Sequence, residues 1–280
     1  MNHGTCLCTR VTWALTGPPE KTYHCHCQMC RKAHGAAFGT YAFVPRDRFA
    51  WTGSLDSVRE YVSSRALTRK FCSTCGSLVP SLDSGGTRYF VPAGSHDSGA
   101  EVDCHIFVAS KAPWFEITDD LACHDRFPPE ENQPSFDRDP LPETREDIVR
   151  GSCLCGTVKF EVTEKFRKIH HCHCTRCRRA RAAAFTTNGF TSDKGVTLLQ
   201  GQAHMKQYKL PDAKYFTHVF CGVCSSGLPR IDRQRQLAAI PLGALDDDPA
   251  ARADDHIFVA DKAAWYPITD TLPRFQQYPV

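Results

Sequence analysis

The sequence predicts a mostly β chain of two tandem units with little helix, and three observations carry that reading. Short sequence blocks in the first half recur in the same order in the second. Segments between the blocks alternate apolar and polar residues at period two, the mark of half-buried strands. The sixteen cysteines fall almost entirely in close Cys-x-Cys and Cys-x-x-Cys groups, which can staple a β unit from within.

Taken in order, Gly4-Thr5-Cys6-Leu7-Cys8 matches Gly151-Ser152-Cys153-Leu154-Cys155. Each block runs into an alternating segment, Val11, Trp13, Leu15 in the first copy and Val158, Phe160, Val162 in the second. The central block, His24-Cys25-His26-Cys27-Gln28-Met29-Cys30, returns as His171-Cys172-His173-Cys174-Thr175-Arg176-Cys177. After it, Arg31-Lys32-Ala33-His34 and Arg178-Arg179-Ala180-Arg181 read as short helical turns. Strands are expected at Phe38–Val44, Phe49–Thr52, Tyr89–Pro92 and Ile106–Val108, and at Phe185–Thr187, Val196–Leu199, Leu237–Pro241 and Ile257–Val259. A late Cys72-Ser73-Thr74-Cys75 pairs with Cys221-Gly222-Val223-Cys224, and His105-Ile106-Phe107-Val108-Ala109 with His256-Ile257-Phe258-Val259-Ala260. Trp114 then matches Trp265.

The offset between copies is 147 residues at the central block, 149 at the late cysteines and 151 at the histidine block. Such small drifts are what loop insertions in one shared fold produce. Between the copies lies a proline-rich, charged stretch from Pro128 through Pro142 to Glu146, which reads as a connector. The expected organisation is a first unit at 1–127, a linker at 128–149 and a second unit at 150–280.

A formal net charge of +3, with 34 basic residues scattered among 31 acidic ones, gives no basic stripe, so nucleic acid is not an expected partner. No signal-peptide pattern and no apolar run of membrane-spanning length is visible, and a soluble, cytoplasmic protein is the expectation. In that setting clustered cysteines point to metal rather than to disulfides.

Three thiols within six residues can all reach one ion at about 2.3 Å. Each copy has seven clustered cysteines, and the count fits one closed four-ligand zinc and one three-ligand zinc with a vacant position. Pairing Cys6 and Cys8 with Cys72 and Cys75, or Cys153 and Cys155 with Cys221 and Cys224, would close a loop of more than sixty residues. Spacing alone leaves other partitions open, including clusters that share ligands.

The order Gly-x-Cys-x-Cys, Cys-His-Cys-x-x-Cys-Arg-Lys, Cys-x-x-Cys-Gly and His-Ile-x-x-x-x-Lys-x-x-Trp resembles the glutathione-dependent formaldehyde-activating enzymes, a family that includes centromere protein V. The resemblance covers almost the whole chain, twice. It implies a zinc-stapled β-tent unit with a structural zinc on the outer four cysteines. It also implies an open zinc on the inner three, Cys25, Cys27 and Cys30 in the first unit and Cys172, Cys174 and Cys177 in the second. Four zinc ions per chain follow, with glutathione or another thiol as co-substrate. The implied activity is that of a carbon–sulfur lyase, adding a thiol to a small aldehyde or reversing that step. The rival is a non-catalytic zinc protein whose paired units form an interaction surface.

Departures from the pattern fall at Thr9, where the second copy keeps Gly156, and at Ser225, where the first keeps Gly76. The inner block ends His34-Gly35 in the first copy but Arg181-Ala182 in the second, which favours the first as the more competent site.

Arg31, Lys32, Arg178 and Arg179 are candidates to meet the carboxylates of glutathione, against the alternative of a solvated basic face. His26 and His173, flanked by ligands, read as donors beside the metal or as exposed histidines rather than as ligands, and His24, His170 and His171 invite the same reading. His105 and His256 read as structural unless the fold brings them to the inner site. Trp114 and Trp265 are expected to pack in the core or between units, which could embrace as an intramolecular pseudo-dimer. Cys104 and Cys123 have no counterpart in the second copy.

Overall fold

The structure is a computed structural model that describes residues 2–65, 67–96, 101–129 and 143–279. Most of the expected connector 128–149 lies outside these residues. The architecture is mostly β, with two α-helices of seven residues each among the described residues, α1 (Gln28–His34) and α2 (Thr175–Arg181).

Each half is built the same way. In the first, the antiparallel trio Asn2–Thr5, Thr12–Leu15 and Phe49–Trp51 sits beside a six-stranded sheet. That sheet runs in the order Ala122–His124, Cys104–Ile106, Lys21–Cys25, Gly39–Pro45, Arg88–Pro92, Ser81–Leu82. The second half repeats it with the trio Val149–Ser152, Lys159–Val162 and Val196–Gln200 and a five-stranded sheet. The order there is Arg230–Asp232, Leu237–Pro241, Thr186–Thr191, Lys168–Cys172, Asp255–Ile257. Parallel pairing sets His24 beside His105 and Cys25 beside Ile106, and likewise His171 beside His256 and Cys172 beside Ile257. This register carries the histidine block to the inner cysteines across eighty residues of sequence.

Two of the expected strands end early. The segments read as Ile106–Val108 and Ile257–Val259 are the last residue of strands Cys104–Ile106 and Asp255–Ile257, followed by 3-10 turns. The cause is local: Phe107 and Phe258 take φ of 59° and 57°, which no strand accommodates. Sequence reading also missed the hairpins Val58–Ser64 with Leu67–Cys72 and Met205–Lys209 with Thr217–Cys221. Their outer strands are largely solvated, so apolar alternation is weak.

The core sits between the halves as much as within them. Phe38, Trp114 and Phe115 join Phe160, Phe185, Leu242 and Trp265 in one buried cluster, so both tryptophans pack where the halves meet. Reciprocal backbone contacts close the seam. A Cβ on Gly94 would lie 2.2 Å from the Ala183 backbone, and one on Gly243 would lie 2.4 Å from that of Ala36, so only glycine permits either approach. Across the same seam Lys32 Nζ reaches Asp246 Oδ1 at 2.5 Å, Ser152 Oγ at 2.8 Å and Ser152 O at 2.9 Å. No described helix is long and apolar enough to cross a membrane.

Candidate metal centres

The fourteen clustered cysteines gather into two groups of four and two of three. Cys6, Cys8, Cys72 and Cys75 form one group of four and Cys153, Cys155, Cys221 and Cys224 the other. The groups of three are Cys25, Cys27, Cys30 and Cys172, Cys174, Cys177. Within each group all sulfurs lie within 4.8 Å of one another. Sγ separations include 3.5 Å (Cys6–Cys8), 3.6 Å (Cys8–Cys72), 3.4 Å (Cys153–Cys155) and 3.8 Å (Cys155–Cys221). In the inner groups Cys25–Cys27 is 3.5 Å and Cys172–Cys174 is 3.7 Å. Tetrahedral sulfur around zinc at about 2.3 Å puts ligand atoms about 3.8 Å apart, and disulfides need about 2.05 Å, so the sulfurs fit a metal.

The four-cysteine groups are braced by the backbone. Val11 N–H donates to Cys6 Sγ at 3.4 Å and Val158 N–H to Cys153 Sγ at 3.2 Å. Ser77 and Ser226 hold the facing turn by accepting from Leu7 N and Leu154 N. Such N–H···S contacts favour thiolate.

In the inner groups the middle cysteine caps the helix. Cys27 Sγ accepts from Cys30 N and Cys174 Sγ from Cys177 N, both at 3.4 Å, so negative sulfur sits at a helix N-terminus. Cys30 is held well below the ordinary thiol range by hydrogen bonding with Cys25 and Cys27, aided by Arg69. Cys174 is drawn down to about 3 by Cys172 and Cys177.

Histidines surround each inner group without joining it among the described residues. His26 Nε2 meets His105 Nδ1 at 2.8 Å, and His105 Nε2 donates to Asp119 at 2.9 Å. The second half repeats the chain as His173, His256 and Asp270, at 2.8 Å and 2.9 Å. With the carboxylate accepting from Nε2, Nδ1 of His105 or His256 faces Nε2 of the histidine that sits between two ligands. His105 and His256 thus contact the histidine that lies between the first two inner cysteines in sequence. Asp119 and Asp270 were missed in the sequence, although Ile-Thr-Asp at 117–119 recurs at 268–270. His24 and His171 bond Thr40 and Thr187, while His170 meets the buried Asp255 at 2.5 Å.

The basic residues after the inner block are not a solvated face. Arg31, Lys32 and Arg178 are buried, and Lys32 is committed to Asp246 and Ser152. Arg179 is half-buried. Nor does glycine distinguish the two centres: Gly35 and Ala182 close α1 and α2 with φ of 57° and 51°. Cys104 is buried and Cys123 exposed.

One feature near the inner groups had no sequence signal. Arg69 NH2 donates to Cys30 Sγ at 3.4 Å and NH1 to Tyr41 Oη at 2.6 Å; Tyr41 in turn lies 2.8 Å from His34 Nε2. The matching positions in the second half are His218, Asn188 and Arg181, so arginine and histidine have traded places.

Fold and sites together define a class: a duplicated, mostly β protein organised on thiol groups of metal-site geometry. A family profile described as glutathione-dependent formaldehyde-activating enzyme matches residues 1–110 and again 148–261, and the chain belongs to that family. A Halomonas elongata protein named, provisionally, as a glutathione-dependent formaldehyde-activating enzyme is 25% identical over 131 residues, 43% of this chain and 81% of that protein. A crystal structure of a Rhodobacter sphaeroides protein aligns with 20% identity and a TM-score of 0.29, covering 35% of this chain and 87% of the other.

Proposed function

We propose that the chain is a zinc-dependent carbon–sulfur lyase that adds a thiol such as glutathione to a small aldehyde such as formaldehyde, or cleaves the adduct. Its two units, 1–127 and 150–280, would each carry a closed four-cysteine zinc and a three-cysteine zinc. The observation that supports this reading most is the incomplete inner ring: three sulfurs of metal-site spacing, with no fourth Cys, His, Asp or Glu joining them among the described residues. Zinc bound there supplies an open position and acidifies a thiol that takes it.

The chain's own residues do the rest. Capping by Cys27 and Cys174 fixes the sulfurs against a helix end, and the His–His–Asp chains hold the loop between the first two ligands. In the reaction, sulfur donates an electron pair to the carbonyl carbon and the C=O π pair moves to oxygen. The thiol's proton ends on that oxygen, and the reverse step breaks carbon from sulfur.

The test is zinc content together with turnover. The full chain should hold four zinc ions and form S-hydroxymethylglutathione from glutathione and formaldehyde, followed by NMR. The double variant Cys25→Ser/Cys172→Ser should keep the two outer ions and lose the reaction. Turnover unchanged in that variant, or none in the four-zinc wild type, would overturn the reading; the latter result is what a non-catalytic zinc protein gives.

A further inference from the structure

The two inner centres are unlike in cover and in charge. In the first half Cys25, Cys27 and Cys30 are 7%, 8% and 4% exposed. They belong to one buried cluster with Tyr23, Phe43, Cys104 and Ile106, against which Met29, Phe90, Phe107 and Phe127 pack. In the second half Cys172 is buried, but Cys174 and Cys177 are partly open to solvent. The residues around that opening are cationic: Arg176 stands exposed where the first copy has Met29, and Arg230 stands where it has Ser81. Arg230 keeps 20% of its side chain exposed, lies within electrostatic reach of Cys177 and donates to Tyr215 O. Lys214 and Arg235 flank the Tyr215 ring at 5.0 Å and 4.4 Å. Arg230 also pairs with Asp232 at 4.0 Å.

Three thiolates on a divalent ion carry a net charge of minus one, costly to bury without compensation. Arg69 is 3% exposed and touches Cys30, which supplies that compensation in the covered centre. A donor to a ligand sulfur also makes it a poorer nucleophile and a more firmly held ligand. In the second half the equivalent His218 turns away, its Nδ1 2.8 Å from Cys75 O, and that half's own guanidinium, Arg181 at the end of α2, stands within electrostatic reach of Cys177.

We propose that the two centres divide the work: the second is the open centre, whose arginine rim receives an anionic thiol, and the first is a covered centre whose charge Arg69 balances and whose metal is held for structure. This rests on the reading that a three-cysteine zinc takes the thiol, and it narrows that reading to one half of the chain and to thiols bearing carboxylates.

The test uses the full zinc-loaded chain. Iodoacetamide, mapped by mass spectrometry, should label Cys174 and Cys177 before Cys25, Cys27 and Cys30, and glutathione should protect only the former pair. With 4-(2-pyridylazo)resorcinol as chelator, one ion in four should leave at least about tenfold faster than the rest, a phase absent in Cys177→Ser. Arg69→Met should speed release of a second ion by about tenfold or more and leave glutathione–formaldehyde turnover at the wild-type level. Arg230→Met should raise KM for glutathione by about tenfold with kcat unchanged, the scale of one charge-assisted hydrogen bond, and Arg230→Lys should restore most of it. Labelling that begins at Cys25, Cys27 and Cys30, turnover lost with Arg69→Met in a folded protein, or a KM indifferent to Arg230 would overturn the division. Absence of turnover in the wild type would overturn the catalytic reading alone, because labelling order and chelation still decide between the centres.

Discussion

In the first half of the molecule α1 ends in His34 and Gly35, and Arg69 reaches back to the inner cysteines. In the second, α2 ends in Arg181 and Ala182, and the strand position holds His218. Each half keeps one guanidinium and one neutral imidazole in this place but draws them from opposite elements. The imidazoles both turn to a main-chain carbonyl of the other half: His34 Nδ1 donates to Arg181 O at 2.7 Å and His218 Nδ1 to Cys75 O at 2.8 Å. Burial drives His34 down to about 4 and His218 well below its usual value, so each is a neutral donor across the seam. The exchange teaches that ligand geometry is set by backbone register and helix capping, which the halves share. What side chains around it decide is charge and access, in which the halves differ.

The largest test of this comparison is whether the halves stand alone. Structural zinc contributes about 10 kcal/mol or more to small zinc-dependent folds, comparable with a whole domain's stability. Because Phe38, Trp114, Phe185 and Trp265 share one buried cluster, Cys72→Ser and Cys221→Ser should each remove the entire cooperative melt, not half of it. Thermal melts by near-ultraviolet circular dichroism, with zinc content of the soluble fraction, would check this. A surviving transition from the intact half would break the picture of a shared core.

Much of the site was legible before any coordinates. Cysteine spacing and the repeat identified all fourteen thiols and the mostly β character, because ligand spacing and strand alternation are local properties. The parts that were not legible depend on register. Asp119 lies fourteen residues beyond His105 and more than ninety beyond His26, and only the parallel pairing of strands Lys21–Cys25 and Cys104–Ile106 makes them one chain of contacts. Arg69 and Tyr41 gave no motif because the second copy replaces both. The basic run Arg31-Lys32 read either as contacts for glutathione carboxylates or as a solvated face, whereas Lys32 is buried and bonded to Asp246, 214 residues away.

A middle-sized effect should appear with pH. His34 is neutral in the folded chain, with its pKa near 4, and protonates near 6.5 when unfolded. The unfolded state therefore binds more protons between these values, and stability falls as pH drops through that window. The contribution is fully present above about pH 6.5 and amounts to about 3 kcal/mol lost by pH 4. His173, lowered by burial to about 3, extends the loss further. Urea melts across pH 7 to 4 should show His34→Gln losing about 3 kcal/mol less than wild type over that range, though starting lower. Equal slopes would mean that His34 is already protonated in the fold, contrary to its bond to Arg181 O and Tyr41.

The smallest effect separates strain from space at the paired turn positions. Thr9 and Gly156 occupy equivalent turns with φ of 61° and 71°, as do Gly76 and Ser225 at 73° and 68°. A left-handed conformation costs a side chain about 1–2 kcal/mol, while glycine forfeits about 0.5–1 kcal/mol through its freer unfolded state. Thr9→Gly should therefore stabilise the protein slightly, by about 0.5 kcal/mol, its exposed bond to Cys8 O counting for little. A Cβ at Gly156 meets nothing within 4 Å, so Gly156→Thr should cost the strain less the entropy that glycine forfeits, about 0.5 kcal/mol. At Gly76 the same experiment has a different answer, because a Cβ there would lie 2.4 Å from the Phe220 ring, across the seam. Gly76→Ser should thus cost more than Gly156→Thr, by about 1–3 kcal/mol of overpacking. Urea denaturation of the three variants at one pH measures the order directly. Equal losses at Gly76 and Gly156 would show that the seam yields to an added carbon, and that the two halves are joined less tightly than their shared core implies.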